Sequence, residues 1–240
     1  MEALISRIEP PFSIAIINKP RPSFNNTGKI ILPSYFINSR LFTKGWRDGM
    51  PHEGLYILGN WIEAIGANLA ALGVDIEIRD SDQGKRLRIL GDAVQGAGNF
   101  LIAETTPSDG LAVLGNRLQA IASTGNAILA HREMYVDELI NDQLEIISDS
   151  LQAIGSYVTA IARLDDNPPK AAGNFIQAVG AIIEAAGVLN IILSDKEKGD
   201  LMRSSGKWVQ GFGTIIQAIS VTPGLRELVG QSGDQEEDNN

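Results

Sequence analysis

The sequence predicts an all-α protein, an antiparallel bundle or stacked array of about six helices built from three helix-pair repeats. Three observations carry that expectation. A short pattern recurs six times at alternating long and short intervals, and apolar residues inside each copy follow steps of three and four. Beyond residue 52, prolines fall only between copies.

Composition narrows the class first. The 240 residues are 44% apolar, 20% charged and 6% aromatic, with no cysteine. Disulfide scaffolds and cysteine-ligated zinc or iron–sulfur sites are thereby excluded. A net charge of -9 argues against a general affinity for nucleic acid or anionic membranes. The N-terminus lacks the basic and apolar regions of a secretory signal, so a cytoplasmic location is favoured.

Residues 1–52 read as an extended, proline-rich arm. Six of the 10 prolines lie there, interleaved with the β-type runs Phe12–Ile17 and Lys29–Leu32. Prolines this dense remove backbone donors and forbid long helices, which leaves room for short edge strands. Residues 53–231 form the expected helical repeat domain. Residues 232–240 are acidic and polar, too poor in apolar surface to order themselves, and read as a disordered tail.

The repeat copies begin at Gly59, Gly91, Gly115, Ser148, Gly173 and Gly206, spaced 32, 24, 33, 25 and 33 residues apart. The alternation makes the unit a pair of helices about 57 residues long, present three times. Leu55, Leu58, Ile62, Ile65, Leu69, Leu72 and Ile76 in the first copy trace one stripe of period 3.5. Ile140, Leu144, Ile147, Leu151, Ile154, Val158 and Ile161 do the same in the fourth.

Small residues sit beside that stripe, seven apart: Gly59 and Gly66, Gly91 and Gly98, Gly173 and Gly180, Gly206 and Gly213, and Gly155 after Ser148. A glycine inside a helix costs about 1 kcal/mol against alanine. The expected return is close approach of neighbouring backbones, nearer than the usual 8–10 Å.

The connections fit helix pairs. Thr106-Pro107, Asn167-Pro168 and Thr222-Pro223 offer a capping oxygen followed by a residue that needs no donor. At the other ends, Asp80, Asp137 and Asp195 each precede the next copy by 11 residues, which points to a shared capping role. Asp80/Gln83 and Ser194/Glu197 are spaced as capping boxes. Asp80-Ser81-Asp82 lacks the glycine and the terminal glutamate of an EF-hand loop.

One polar series stands at a fixed repeat position: Glu63, Gln95, Gln119, Gln152, Gln177 and Gln210. Its favoured reading is a hydrogen-bonding border between packed helices or a solvated flank. The sharper one is an interaction ladder that binds a partner or lines a channel. Glutamine does not titrate, so the series offers no acid–base chemistry. No nucleophile elbow, zinc-protease motif, phosphate loop or dinucleotide fingerprint occurs, and the histidines, His52 and His131, are far apart. No catalytic residue, cofactor site or metal site is therefore expected, and the chain is read as non-enzymatic.

The copies Leu58-Gly59-Asn60, Leu114-Gly115-Asn116 and Ala172-Gly173-Asn174 resemble those of uncharacterised glycine/alanine-rich "repetitive" helical proteins of Bacillus-type bacteria. The resemblance implies a bacterial helical protein and carries over no functional residue. The leading expectation is a protein that works by association, with itself as a homo-oligomer or with another protein. The alternative is a membrane-active, pore-forming-like protein whose apolar helices unpack onto or into lipid. Residues 171–193 hold a single ionisable group, Glu184, over a length sufficient to span. Because a buried charge costs about 3 kcal/mol there, the soluble core helix is the favoured reading.

Overall fold

Among the described residues six helices follow one another: α1 (His52–Glu77), α2 (Ser81–Thr105), α3 (Gly110–Arg132), α4 (Glu138–Ala162), α5 (Pro168–Ile192) and α6 (Lys196–Val221). The computed structural model describes residues 23–24, 30–31, 52–106, 109–133 and 138–225. Two compact units divide the chain, Met1–Asp48 and Gly49–Asn240. In the first, the strands β1 (Ser23–Phe24) and β2 (Ile30–Ile31) pair antiparallel, Ser23 opposite Ile31. The remainder of the expected arm and the acidic tail lie outside the described residues.

Local sequence fixes the helix ends. Asp80, Asp109, Asn167 and Asp195 are N-caps, each accepting a hydrogen bond from a backbone N–H in the first turn of the helix it opens. Pro168 and Pro169 open α5, where no donor is needed. Asp195 caps α6, as its spacing from the next copy predicts, whereas the Ser194/Glu197 capping box does not form, because Ser194 ends the preceding helix. It adopts φ 71°, and the Asp195 N–H returns to the Asn190 carbonyl at 2.9 Å, a Schellman closure. Asp137 lies outside the described residues.

Each helix packs antiparallel against the next, and α6 packs back onto α1, so the six close a ring. Trp61 Nε1 donates to Thr222 Oγ1 at 3.0 Å and Asn68 Nδ2 to the Gly211 carbonyl at 3.2 Å across that closing seam. The seams are narrow. A Cβ on Gly66 or Gly91 would collide with backbone of the facing helix, and one on Gly98 with Glu63. A Cβ on Gly59 would stand 3.1 Å from the Ile102 nitrogen. Between α5 and α6, a Cβ on Gly180 would lie 2.6 Å from the Gln210 nitrogen, and one on Gly206 2.6 Å from that of Glu184. Gly173 and Gly213 face each other there, and Gly155 meets Gly115 between α3 and α4. Alanines supply most of the remaining apolar packing.

The apolar stripe mostly faces outward, with Leu55 a buried exception. Ile65, Ile121, Ile147 and Ile182 are 59–63% exposed, and Leu90, Phe100, Ile128, Ile154, Leu189 and Phe212 also face outward. Every helix takes part. Meanwhile the polar series sits at the centre: Glu63, Gln95, Gln119, Gln152, Gln177 and Gln210 are all fully buried. The reason is geometric. The small residues beside the stripe define the contacting face, so the bulky residues flanking them are turned out.

Candidate functional site

The interior of the ring is polar, and its order follows from the repeat. Three residues before the copy start and one after it, the helices α2, α4 and α6 carry Arg88 and Asp92, Glu145 and Asp149, Arg203 and Lys207. Four residues apart on a helix, each pair shares one face. At the position one after the start, α1, α3 and α5 instead carry Asn60, Asn116 and Asn174, each donating to the carbonyl four residues back. Because alternate helices run in opposite directions, the charged set gathers toward one end of the ring and the asparagine set toward the other.

At the charged end, Arg88 meets Glu77 at 3.2 Å, Glu133 at 2.8 Å and Glu145 at 2.9 Å. Arg203 also reaches Glu145 Oε1 at 2.8 Å, and Lys85 approaches Glu133 at 3.6 Å. Burial pushes the Glu133 carboxyl above its ordinary value, even though Arg88 beside it acts in the opposite direction. One turn further in, Lys207 Nζ lies 3.1 Å from Asp92 Oδ1 and 3.1 Å from Glu184 Oε1. Asp149 accepts from Asn126 Nδ2 at 2.7 Å. Carboxylate oxygens of Glu145, Asp149 and Glu184 lie within 4.8 Å of one another, as do those of Glu133, Asp142 and Glu145.

The glutamine series continues this network through the middle. Gln152 Nε2 donates to Gln210 Oε1 at 2.5 Å, and Gln210 Nε2 to Glu184 Oε2 at 2.5 Å. Gln177 Nε2 donates to Glu63 Oε1 at 2.9 Å and Gln217 to Gln177 at 2.8 Å. Gln119 stays with α4, donating to Thr159 at 3.1 Å and accepting from Ser156 at 3.0 Å. Gln95 enters the interior with neither amide atom hydrogen-bonded. Beyond this layer Lys170 Nζ donates to Asn60 Oδ1 at 2.5 Å and sits 4.6 Å from the centre of the Tyr56 ring.

The outer face contrasts with this column. Among the described residues, exposed charged side chains lie in turns or within the outer eight residues of a helix, the deepest being Arg117, which pairs with Glu104 at 3.1 Å. In the middle of each helix, the exposed positions carry no Asp, Glu, Lys or Arg. Two helices, α1 and α5, are long and apolar enough to cross a membrane by length and composition.

Sequence reasoning singled out the glutamine series and missed the charged pairs of α2, α4 and α6. Their repeat position was readable. Their identities differ (Arg/Asp, Glu/Asp, Arg/Lys), which hides the periodicity from a search for like residues.

Fold and site together define a class: a closed ring of antiparallel helices with an ionisable, amide-rich core and an uncharged apolar belt. The chain belongs to DUF6944, a family of unknown function, whose family model matches residues 54–223 and so spans all six helices. No curated protein and no solved structure matches the chain.

Proposed function

We propose that the helical body is embedded in a membrane, with all six helices crossing the hydrocarbon layer and the polar core handling small charged solutes there. The observation that supports this reading is the inversion: ionisable side chains mid-helix turn inward, while every helix turns bulky apolar residues outward. In water such an exterior forfeits its main source of stability, since contiguous exposed apolar surface is unfavourable. In lipid the same exterior is matched, and the ionisable groups pair inside the ring as intramembrane charges do. Helices of 23 to 26 residues are about 35–39 Å long. The hydrocarbon layer is about 30 Å thick. Small residues in the seams suit helices associating without a hydrophobic driving force between them.

Hydropathy alone understates the case. The helices α2, α3, α4 and α6 spend part of their length on core polar groups, so their averages fall although their outer faces are apolar. A protein partner is the weaker occupant, because a closed ring exposing apolar residues on every side would need contacts on every side. We take the protein to be non-enzymatic: the buried polar groups are tied largely to one another, and in the cleft of about 300 Å³ at the charged end Glu77, Lys85 and Arg203 are each ion-paired, to Arg88, Glu133 and Glu145.

Fractionation of cells expressing the full chain tests this directly. Protein that stays in the membrane pellet after alkaline carbonate and leaves it only with detergent is the expected result. Recovery as a discrete soluble oligomer would assign the belt to protein contacts and overturn the reading.

A further inference from the structure

We propose that the solute moved by the core is the proton, passed through buried water between Asp149 of α4 and Glu63 of α1. The inference rests on the membrane reading and names the charge carried. Its first support is a pair of cavities of about 300 Å³ each, one at either end of the ring. At the charged end Glu77 and Arg203 line one of them, and Arg203 leads inward to Glu145, one helical turn from Asp149. At the asparagine end Tyr56 and Arg163 line the other. Lys170 stands against the Tyr56 ring and bonds Asn60, three residues before Glu63.

Between the cavities lie buried polar atoms without hydrogen-bond partners, all well inside their helices. The helix α1 brings Glu63 Oε2, α2 both amide atoms of Gln95 and Asn99 Oδ1, α3 Ser123 Oγ, and α4 Asp149 Oδ2 and Gln152 Oε1. Every one of these side chains is at most 1% exposed. Existing bonds fix two of the amides: Asn99 Nδ2 donates to the Gln95 backbone carbonyl at 3.2 Å and Gln152 Nε2 to Gln210, which leaves both oxygens unbonded. Buried polar groups in this state are satisfied by ordered water, which takes about two to four such partners.

Asp149 and Glu63 are the carboxyls that share this layer, and among the described residues neither is ion-paired. Asp149 accepts from Asn126 through Oδ1, with Glu145 and Glu184 beside it and Lys207 of α6 acting on it through space. Lys207 makes its own contacts with Asp92 and Glu184. Glu63 accepts from Gln177 through Oε1, and Asn99 and Lys170 act on it from α2 and α5. Each carboxyl can therefore take up or release a proton without breaking an ion pair. In the transfer the O–H bond at Asp149 Oδ2 breaks, each water gains one proton and passes one on, and the last bonds to Glu63 Oε2. No other covalent bond changes. Lys207 and Lys170, at most 2% exposed, stand as fixed cations on the two sides of the layer and repel metal ions. A proton hops along hydrogen bonds and needs no open lumen, and carboxyl relays are an established use of intramembrane acids.

The test reconstitutes the purified full chain into liposomes and checks insertion by flotation after alkaline carbonate. A trapped dye then follows internal pH after an imposed pH step, with potassium and valinomycin balancing charge. Faster proton entry than in protein-free vesicles is expected, with sodium entry, read by a sodium-sensitive dye, unchanged. Asp149→Asn and Glu63→Gln should each slow proton entry several-fold and Glu63→Asp should keep part of it, while Glu104→Gln, at an exposed pair, should leave it unchanged. A native chain that inserts yet admits no more protons than empty vesicles overturns the proposal and leaves the membrane reading standing. So does sodium entry as fast as proton entry, which marks an open pore, and so does full proton entry in both Asp149→Asn and Glu63→Gln. A chain that does not insert overturns the membrane reading and this inference with it. Should a variant fail to fold, the native rate and its ion selectivity decide the matter.

Discussion

The Lys207 ammonium of α6 lies 3.1 Å from the Asp92 carboxylate of α2, across 115 residues of sequence, with both side chains at most 2% exposed. The same nitrogen holds Glu184 at 3.1 Å, so one cation ties three helices together in the interior. Lys207→Met should therefore leave two carboxylates buried and unpaired, at a cost of about 3–5 kcal/mol. Adding Asp92→Leu to it should recover part of that loss. Chemical unfolding followed by circular dichroism measures both, and a double variant less stable than the single one would contradict the pairing.

Seam glycines and a glycine with open space around it should behave oppositely. Gly98→Leu drives a side chain into Glu63 of the facing helix and should cost at least about 1–3 kcal/mol, the usual range for overpacking. Gly110→Ala, at the start of α3 with nothing within 4 Å, should be neutral or gain about 0.4–1 kcal/mol. A melting-temperature series over these two positions separates close approach from mere helix propensity.

The outer belt carries its own signature. Ile121→Lys, at a site 61% exposed, removes no buried contact and would be tolerated in a water-soluble bundle. In a bilayer a lysine near the helix centre costs about 2.5–3.5 kcal/mol. The expected outcome is a lower carbonate-resistant fraction for Ile121→Lys than for Ile121→Leu, with unchanged helicity in detergent.

Helix starts are open to a simpler check. Asp109 Oδ1 accepts from the backbone nitrogens of Leu111 at 3.1 Å and Ala112 at 3.2 Å. Asp109→Ala should cost about 1 kcal/mol, and Asp109→Ser should restore most of it. Equal melting temperatures for all three chains would mean that the cap contributes nothing.

Much of the fold could be read from the amino-acid order because it is written in spacing. Steps of three and four fix the helices, the 32/24 alternation fixes the hairpins, and the Asp and Asn caps fix most of the ends. The direction of the faces could not be read in the same way. Ile65 and Glu63 are two residues apart, so a stripe through one necessarily turns the other well around the helix. Periodicity states only that the two faces differ. Which face is inside depends on the surrounding medium and on whether a glycine seam can hold the helices together without Leu and Ile. Ring closure was equally hidden, since Trp61 and Thr222 meet across 161 residues with no repeated signal between them. The ionic set of Arg88, Glu145 and Arg203 depends on that closure to come together.

Because α6 returns to lie along α1, the ring makes no distinction between its first and last rods. A circularly permuted gene, opened between Thr106 and Asp109 and bridged from Leu225 to His52 by a flexible segment, would encode the same set of seams in a different order.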